Sequence, residues 1–97
     1  MANVTLINVF EVPAGRDEEF LQHWETARDF MQRQKGYVAT RLHRSLNASA
    51  HFRFVNVAEW ETAADVQAAF SHPDVAKLRE TMPFAHYPSL YEVIRTS

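Results

Sequence analysis

The chain has 97 residues, 46% of them apolar and 23% charged. That is the make-up of one globular domain over residues 1–97, and it excludes collagenous, linker-like and disordered chains. Ten Lys and Arg against twelve Asp and Glu leave a formal charge of −2 with no basic block, which argues against a nucleic-acid partner. Without cysteine there are no disulfides, thiolate nucleophiles, zinc ribbons or iron–sulfur ligands. No apolar run is long enough for a membrane span and the amino terminus lacks a leader pattern, so a cytoplasmic protein that does not engage membranes is predicted. Size scaling allows a folded surface of about 5,700 Å², a modest degree of burial that a partner subunit would improve.

In chain order, Val4, Leu6, Phe10 and Val12 alternate with a mixed set of side chains, the period of a strand. Pro13-Ala14-Gly15 breaks it. From Arg16 the apolar positions become Phe20, Trp24, Ala27 and Met31, one stripe of a helix. Asp17, Glu18 and Glu19 suit the positive end of its dipole, and Gly36 is the expected stop. Tyr37 to Leu46 and Phe52 to Trp60 read as a hairpin across a polar loop. Thr62 with Asp65 and Ser71 with Asp74 have capping-box spacing and open short helical stretches around Val66–Phe70 and Val75–Leu78. Pro83 and Pro88 mark a loop, and Leu90 to Arg95 reads as the last strand.

Strand, long helix, strand, strand, helical pair, strand is the split βαβ order of α+β, ferredoxin-like folds: a four-stranded antiparallel sheet with helices on one face. The opposite face would expose Ile7, Val9, Val55 and Val57. A second copy of the sheet is its simplest cover, so a homodimer forming an α/β barrel is expected.

Asn8 shares a strand side with Val4, Leu6, Phe10 and Val12, and Asn56 shares one with Phe52, Phe54, Ala58 and Trp60. If the two sides coincide, two amides and an indole N–H face one apolar cavity, the composition of a small-molecule pocket. The alternative is two amides satisfied by backbone and a tryptophan that is simply core. The five histidines form no metal-binding spacing. His43, on the side of Tyr37, Arg41 and Ser45, is a candidate proton acceptor reaching either the cleft or a subunit contact, with a surface role as the alternative.

The first strand with Pro13-Ala14-Gly15-Arg16, the segment Thr40 to Ser45 and the segment Phe52 to Glu61 together resemble the antibiotic biosynthesis monooxygenase family over nearly the whole chain. The resemblance implies a dimeric α+β barrel with a cleft between helices and sheet in each subunit. In members that oxidise aromatic polyketides without a cofactor, an Asn four residues before a Trp helps hold the substrate, as Asn56 precedes Trp60. The aromatic hydroxyl expected six residues beyond that Trp is replaced by Val66, and Tyr37, Tyr87 and Tyr91 are the possible substitutes. In the haem-degrading branch Asn8 matches the strand asparagine, but Ala69 and Arg79 stand where that branch has its Trp and its haem-ligating His.

The expected function is therefore oxidation of an electron-rich aromatic or quinol-type small molecule by O2, with no cofactor and no metal. Asn56 and Trp60 would act on the developing oxyanion, Asn8 on a second oxygen and His43 on the proton. Leu6, Phe10, Phe20, Trp24, Phe52 and Phe70 would hold the ring. A binding protein of the same fold without turnover and a haem-degrading oxygenase are the rival expectations.

Overall fold

A computed structural model describes residues 3–97. The alternating segments form β1 (Val4–Phe10), β2 (Tyr37–Arg44), β3 (Phe54–Trp60) and β4 (His86–Tyr91), and the helices are α1 (Asp17–Met31), α2 (Ala63–Phe70) and α3 (Pro73–Thr81). The strands make one sheet in the order β2-β3-β1-β4, every neighbouring pair antiparallel. This is the ferredoxin-like α+β architecture expected from the order of periodicities.

Register places the side chains. Along β1 and β3, Val4 faces Trp60, Leu6 faces Ala58, Asn8 faces Asn56 and Phe10 faces Phe54. Because side chains alternate across a sheet, these four pairs share one surface, and that surface carries the buried residues Leu6, Phe10, Phe54, Ala58 and Trp60. The intervening Ile7, Val9, Val55 and Val57 form the other, only half-buried face. The chain is a slab, 17 Å in its shortest dimension. Its 6607 Å² surface exceeds the roughly 5,700 Å² of a free-standing protein of this mass, as a sheet with one uncovered face should.

Local chemistry sets the boundaries. Asp17, Glu18 and Glu19 occupy the first turn of α1, where carboxylates complement the helix dipole. Asp17 is also gripped by Arg53 through bonds of 2.7 and 3.0 Å and by Arg44 at 3.4 Å, tying the start of α1 to β2 and to the chain entering β3. The Arg53 hydrogen bond, with the nearby charges of Arg53 and Arg44, holds the Asp17 carboxyl below its ordinary value against the opposing effect of burial. Gly36 has φ +88°, and a Cβ there would run into the Asp65 side chain. Glycine is required there on both counts.

Three boundaries differ from the sequence expectations. The last strand runs His86–Tyr91 instead of Leu90–Arg95, because β4 is an edge strand and an edge tolerates Pro88. β3 begins at Phe54, two residues after Phe52. The capping side chain of α3 is His72, whose Nδ1 accepts from the Asp74 amide, while the Ser71 hydroxyl donates to the Gln67 carbonyl. Thr62 caps α2 through the Asp65 amide as its spacing predicts. No helix among the described residues is long and apolar enough to cross a membrane.

Candidate functional site

The space between α1 and the sheet is filled unevenly. At one end Phe10, Phe20, Phe54 and Phe84 pack with Val12, Phe20 stacking on Phe54 at 4.4 Å and meeting Phe10 edge-on at 4.8 Å. Two residues further along the strands the paired side chains are Asn8 and Asn56, and then Leu6 and Ala58. Amides and an alanine do not replace the volume of phenylalanine rings, and α1 contributes Ala27 at the same level. A hollow results.

It has two chambers of about 100 Å³ each, with Asn8, Phe10, Trp24, Ala27, Met31 and Phe70 common to both walls. The first adds Asn56, Trp60, Tyr37, Thr40 and Arg28. The second adds His86, Arg79, Met82 and Leu78. No carboxylate lines either chamber. Two guanidiniums do: Arg28 lies 5.3 Å from the Trp24 ring and is paired with Asp29 at 3.0 Å, and Arg79 lies 5.0 Å from the Phe70 ring. The walls therefore favour a flat apolar molecule bearing oxygen atoms that are, or become, negative.

The polar groups divide into committed and free. The Trp24 indole donates to Asn56 Oδ1 at 3.2 Å, and the Asn56 amide nitrogen donates to Thr40 Oγ1 at 3.4 Å, keeping its second hydrogen. Asn8 Oδ1 and Trp60 Nε1 are buried with no hydrogen-bond partner. An unpaired buried polar atom costs on the order of 1–3 kcal/mol, so two on residues that line one hollow mark it as the candidate site.

Asn8, Asn56 and Trp60 are thus brought to one chamber, together with Leu6, Phe10, Trp24 and Phe70. Three expected site residues are placed elsewhere. Phe20 is fully buried in the phenylalanine cluster and lines neither chamber. Phe52 lies outside β3, its ring 5.9 Å from that of Tyr87 and 4.5 Å from that of His51. His43 is exposed opposite Val55, with Nδ1 3.3 Å from the Val55 carbonyl oxygen, on the half-buried face. The cause is an irregularity in β2 between Tyr37 and Ala39. It turns Tyr37 into the chamber, edge-on to Trp60 at 5.6 Å, and sends Arg41 and His43 the other way. His43 is therefore not a group at the hollow, and a subunit contact or a plain surface role is what its place allows.

Of the three candidate tyrosines, Tyr37 alone lines the hollow. Tyr87 and Tyr91 pair with Val9 and Thr5 on the opposite face, where the Tyr87 hydroxyl donates to Glu11 at 2.6 Å, a bond that raises its pKa. His86 and Trp24 as a hydrogen-bond donor were not read as site groups from sequence. For Trp24 the signal lay in its helical step facing the Asn56 position. For His86 there was none, since it falls in a segment read as loop. No group of three or more potential metal ligands occurs among the described residues.

A ferredoxin-like domain with an aromatic hollow carrying unpaired polar atoms defines a small-molecule protein. Its family follows from sequence: the antibiotic biosynthesis monooxygenase profile matches residues 3–81, and the chain belongs to that family. A proposed monooxygenase from Shewanella loihica PV-4 is 42% identical, with 98% of this chain and 97% of that one covered and a TM-score of 0.83. SnoaB, a cofactor-independent oxygenase from Streptomyces nogalater, shares the fold at 23% identity, with 99% and 97% covered and a TM-score of 0.85. The heme-degrading protein Rv3592 of Mycobacterium tuberculosis shares it at 23% identity, with 100% and 98% covered and a TM-score of 0.74. No curated protein matches the sequence. Membership gives the chain a monooxygenase-like role at the level of the family.

Proposed function

We propose that the protein is a cofactor-independent monooxygenase that oxidises a small, electron-rich aromatic or quinol-type compound with O2, working as a homodimer. The observation that carries this reading is the pair of buried, unpartnered groups, Trp60 Nε1–H and Asn8 Oδ1, on residues of an aromatic hollow that no carboxylate lines. Loss of a proton from a phenol or an activated methylene gives an anion able to pass an electron to O2. Recombination forms a carbon–oxygen bond, and cleavage of the peroxide then converts an activated CH2 and O2 into C=O and H2O. All four electrons come from the substrate. The protein has only to bind, desolvate and stabilise the anion. Trp60 and the uncommitted amide hydrogen of Asn56 are the donors for that charge, Asn8 Oδ1 accepts from a second hydroxyl, and Tyr37 supplies the one phenol of the wall. SnoaB's likeness in fold, and its description as a cofactor-independent oxygenase, supports the same chemistry.

The test is oxygen uptake by the purified protein with anthrone and quinol substrates. Trp60→Phe keeps the ring and removes the donor, so turnover should fall about 100-fold. Protein that binds these compounds without consuming oxygen is a carrier, and the reading fails. The dimer is supported by the half-buried face of Ile7, Val9, Val55 and Val57. Sedimentation should give twice the monomer mass, and Val57→Asp should halve it. A monomeric wild type removes this part of the reading.

A further inference from the structure

The second chamber contains a base that the reading above does not use. His86 opens β4 opposite Phe10, its ring centroid 5.9 Å from that of Phe10, and it is half-buried in the chamber wall. Its Nδ1 lies 3.1 Å from the Phe84 carbonyl oxygen. A carbonyl can only accept, so Nδ1 carries the hydrogen and Nε2 carries the lone pair. Nε2 has no hydrogen-bond partner and no carboxylate among the described residues. The backbone thus sets one tautomer, as an orienting group does for a catalytic imidazole.

The other four histidines lack this arrangement. His43 stands on the opposite face, His51 has its Nε2 3.0 Å from the Glu11 carboxylate, His72 spends its lone pair on the α3 cap, and His23 lines neither chamber. Asn8 pairs with Pro88, two residues along β4 from His86. That diagonal spacing is roughly 7–8 Å, which one phenolic ring can span.

We propose that His86 is the proton acceptor of the hollow. A phenolic substrate lies against Phe10 between Asn8 and His86, and its O–H proton passes to Nε2, leaving a phenolate and an imidazolium. The charged groups around the exchange are few. α3 contributes Arg79 as its one charged side chain beside Val75 and Leu78, β1 contributes Asn8 and Phe10, and α1 contributes Trp24, Ala27 and Met31. Arg79, already protonated, stabilises the anion but cannot accept its proton, so the imidazole is the one acceptor that also becomes charged. As a step in catalysis this rests on the oxidation reading; as an ionisation of a bound phenol it does not.

The experiment is the absorption spectrum of 4-nitrophenol titrated with the intact protein, on the acid side of the phenol's own pKa. Wild type should bind the probe with its phenolate band. His86→Gln should bind it as the neutral phenol, and imidazole added to His86→Ala should bring the band back, which a variant that had merely misfolded would not do. A band that persists in His86→Gln, a probe that binds wild type only as the neutral phenol, or no binding at all overturns the assignment. Oxygen uptake is scored separately. Protein that ionises the probe but oxidises nothing keeps the His86 assignment and loses the oxidation reading. Where turnover occurs, His86→Gln should lower kcat about 100-fold or more with KM little changed. Full kcat in that variant removes His86 and leaves oxidation standing.

Discussion

The two ends of the space beneath α1 are built on the same pair of strands and differ in what fills them. At the phenylalanine end Phe10 faces Phe54 and Phe20 stacks between helix and sheet, so the rings pack on one another. At the other end Asn8 faces Asn56 and Leu6 faces Ala58, so two chambers open and two polar atoms stay unpaired. A close-packed cluster lowers the free energy of the native state. A hollow with unsatisfied groups raises it, and a ligand recovers the difference on binding. The closed end therefore supports the fold, and the open end is the proposed place of binding.

The contrast can be broken most strongly at Phe20. Phe20→Ala removes a fully buried ring from the closed end and should cost about 3–5 kcal/mol in urea unfolding. Phe70→Ala, at the partly exposed wall of the chambers, should cost markedly less. Equal losses at the two positions would refute the division. A smaller effect of opposite sign is expected at Asn8. Asn8→Leu exchanges an unpaired buried carbonyl for an apolar side chain, so it should stabilise the protein by about 1 kcal/mol while weakening binding of phenols. A destabilised Asn8→Leu would mean the amide is already satisfied. The smallest effect lies at the Asp17 clasp, which braces the closed end. Its carboxyl pKa is lowered in the native state, chiefly by the Arg53 hydrogen bond, so the unfolded chain takes up that proton first as acid is added. The stabilisation is complete above the ordinary carboxylate pKa and disappears as pH falls through the lowered one. Urea midpoints of wild type and Asp17→Asn should differ near neutrality and converge in acid, and a gap that does not depend on pH would exclude the clasp.

Much of this was legible from periodicity. The two-residue alternation of β1 and β3 put Asn8 and Asn56 on sides that pattern alone marked as core, and antiparallel pairing made those sides one. The helical stripe of Phe20, Trp24, Ala27 and Met31 was visible in the same way. What periodicity could not supply was its own interruption. A single extra residue in β2 reverses the facing of everything after it, so Tyr37 and His43, read as neighbours on one side, stand on opposite faces. Pro88 looked like a breaker because a strand's place in the sheet cannot be seen in its own residues, and that hid β4 and His86 with it. Phe52 continued the alternation of β3 on paper, although pairing starts only at Phe54. Whether an amide spends its hydrogen bonds on a neighbour, as Asn56 does on Trp24 and Thr40, depends on contacts between elements distant in sequence.

The extra residue in β2 is Val38, 43% exposed between the paired Tyr37 and Ala39. Because it is out of step with β3, Tyr37 before it faces Trp60 while Ala39, Arg41 and His43 after it face the other side of the sheet. Deleting that one codon would make the pairing regular, with Tyr37 still opposite Trp60 and Ala39 still opposite Glu59. A lineage could thus gain or shed a residue beside the hollow through a change in length, with the phenol and the rest of the sheet left as they were.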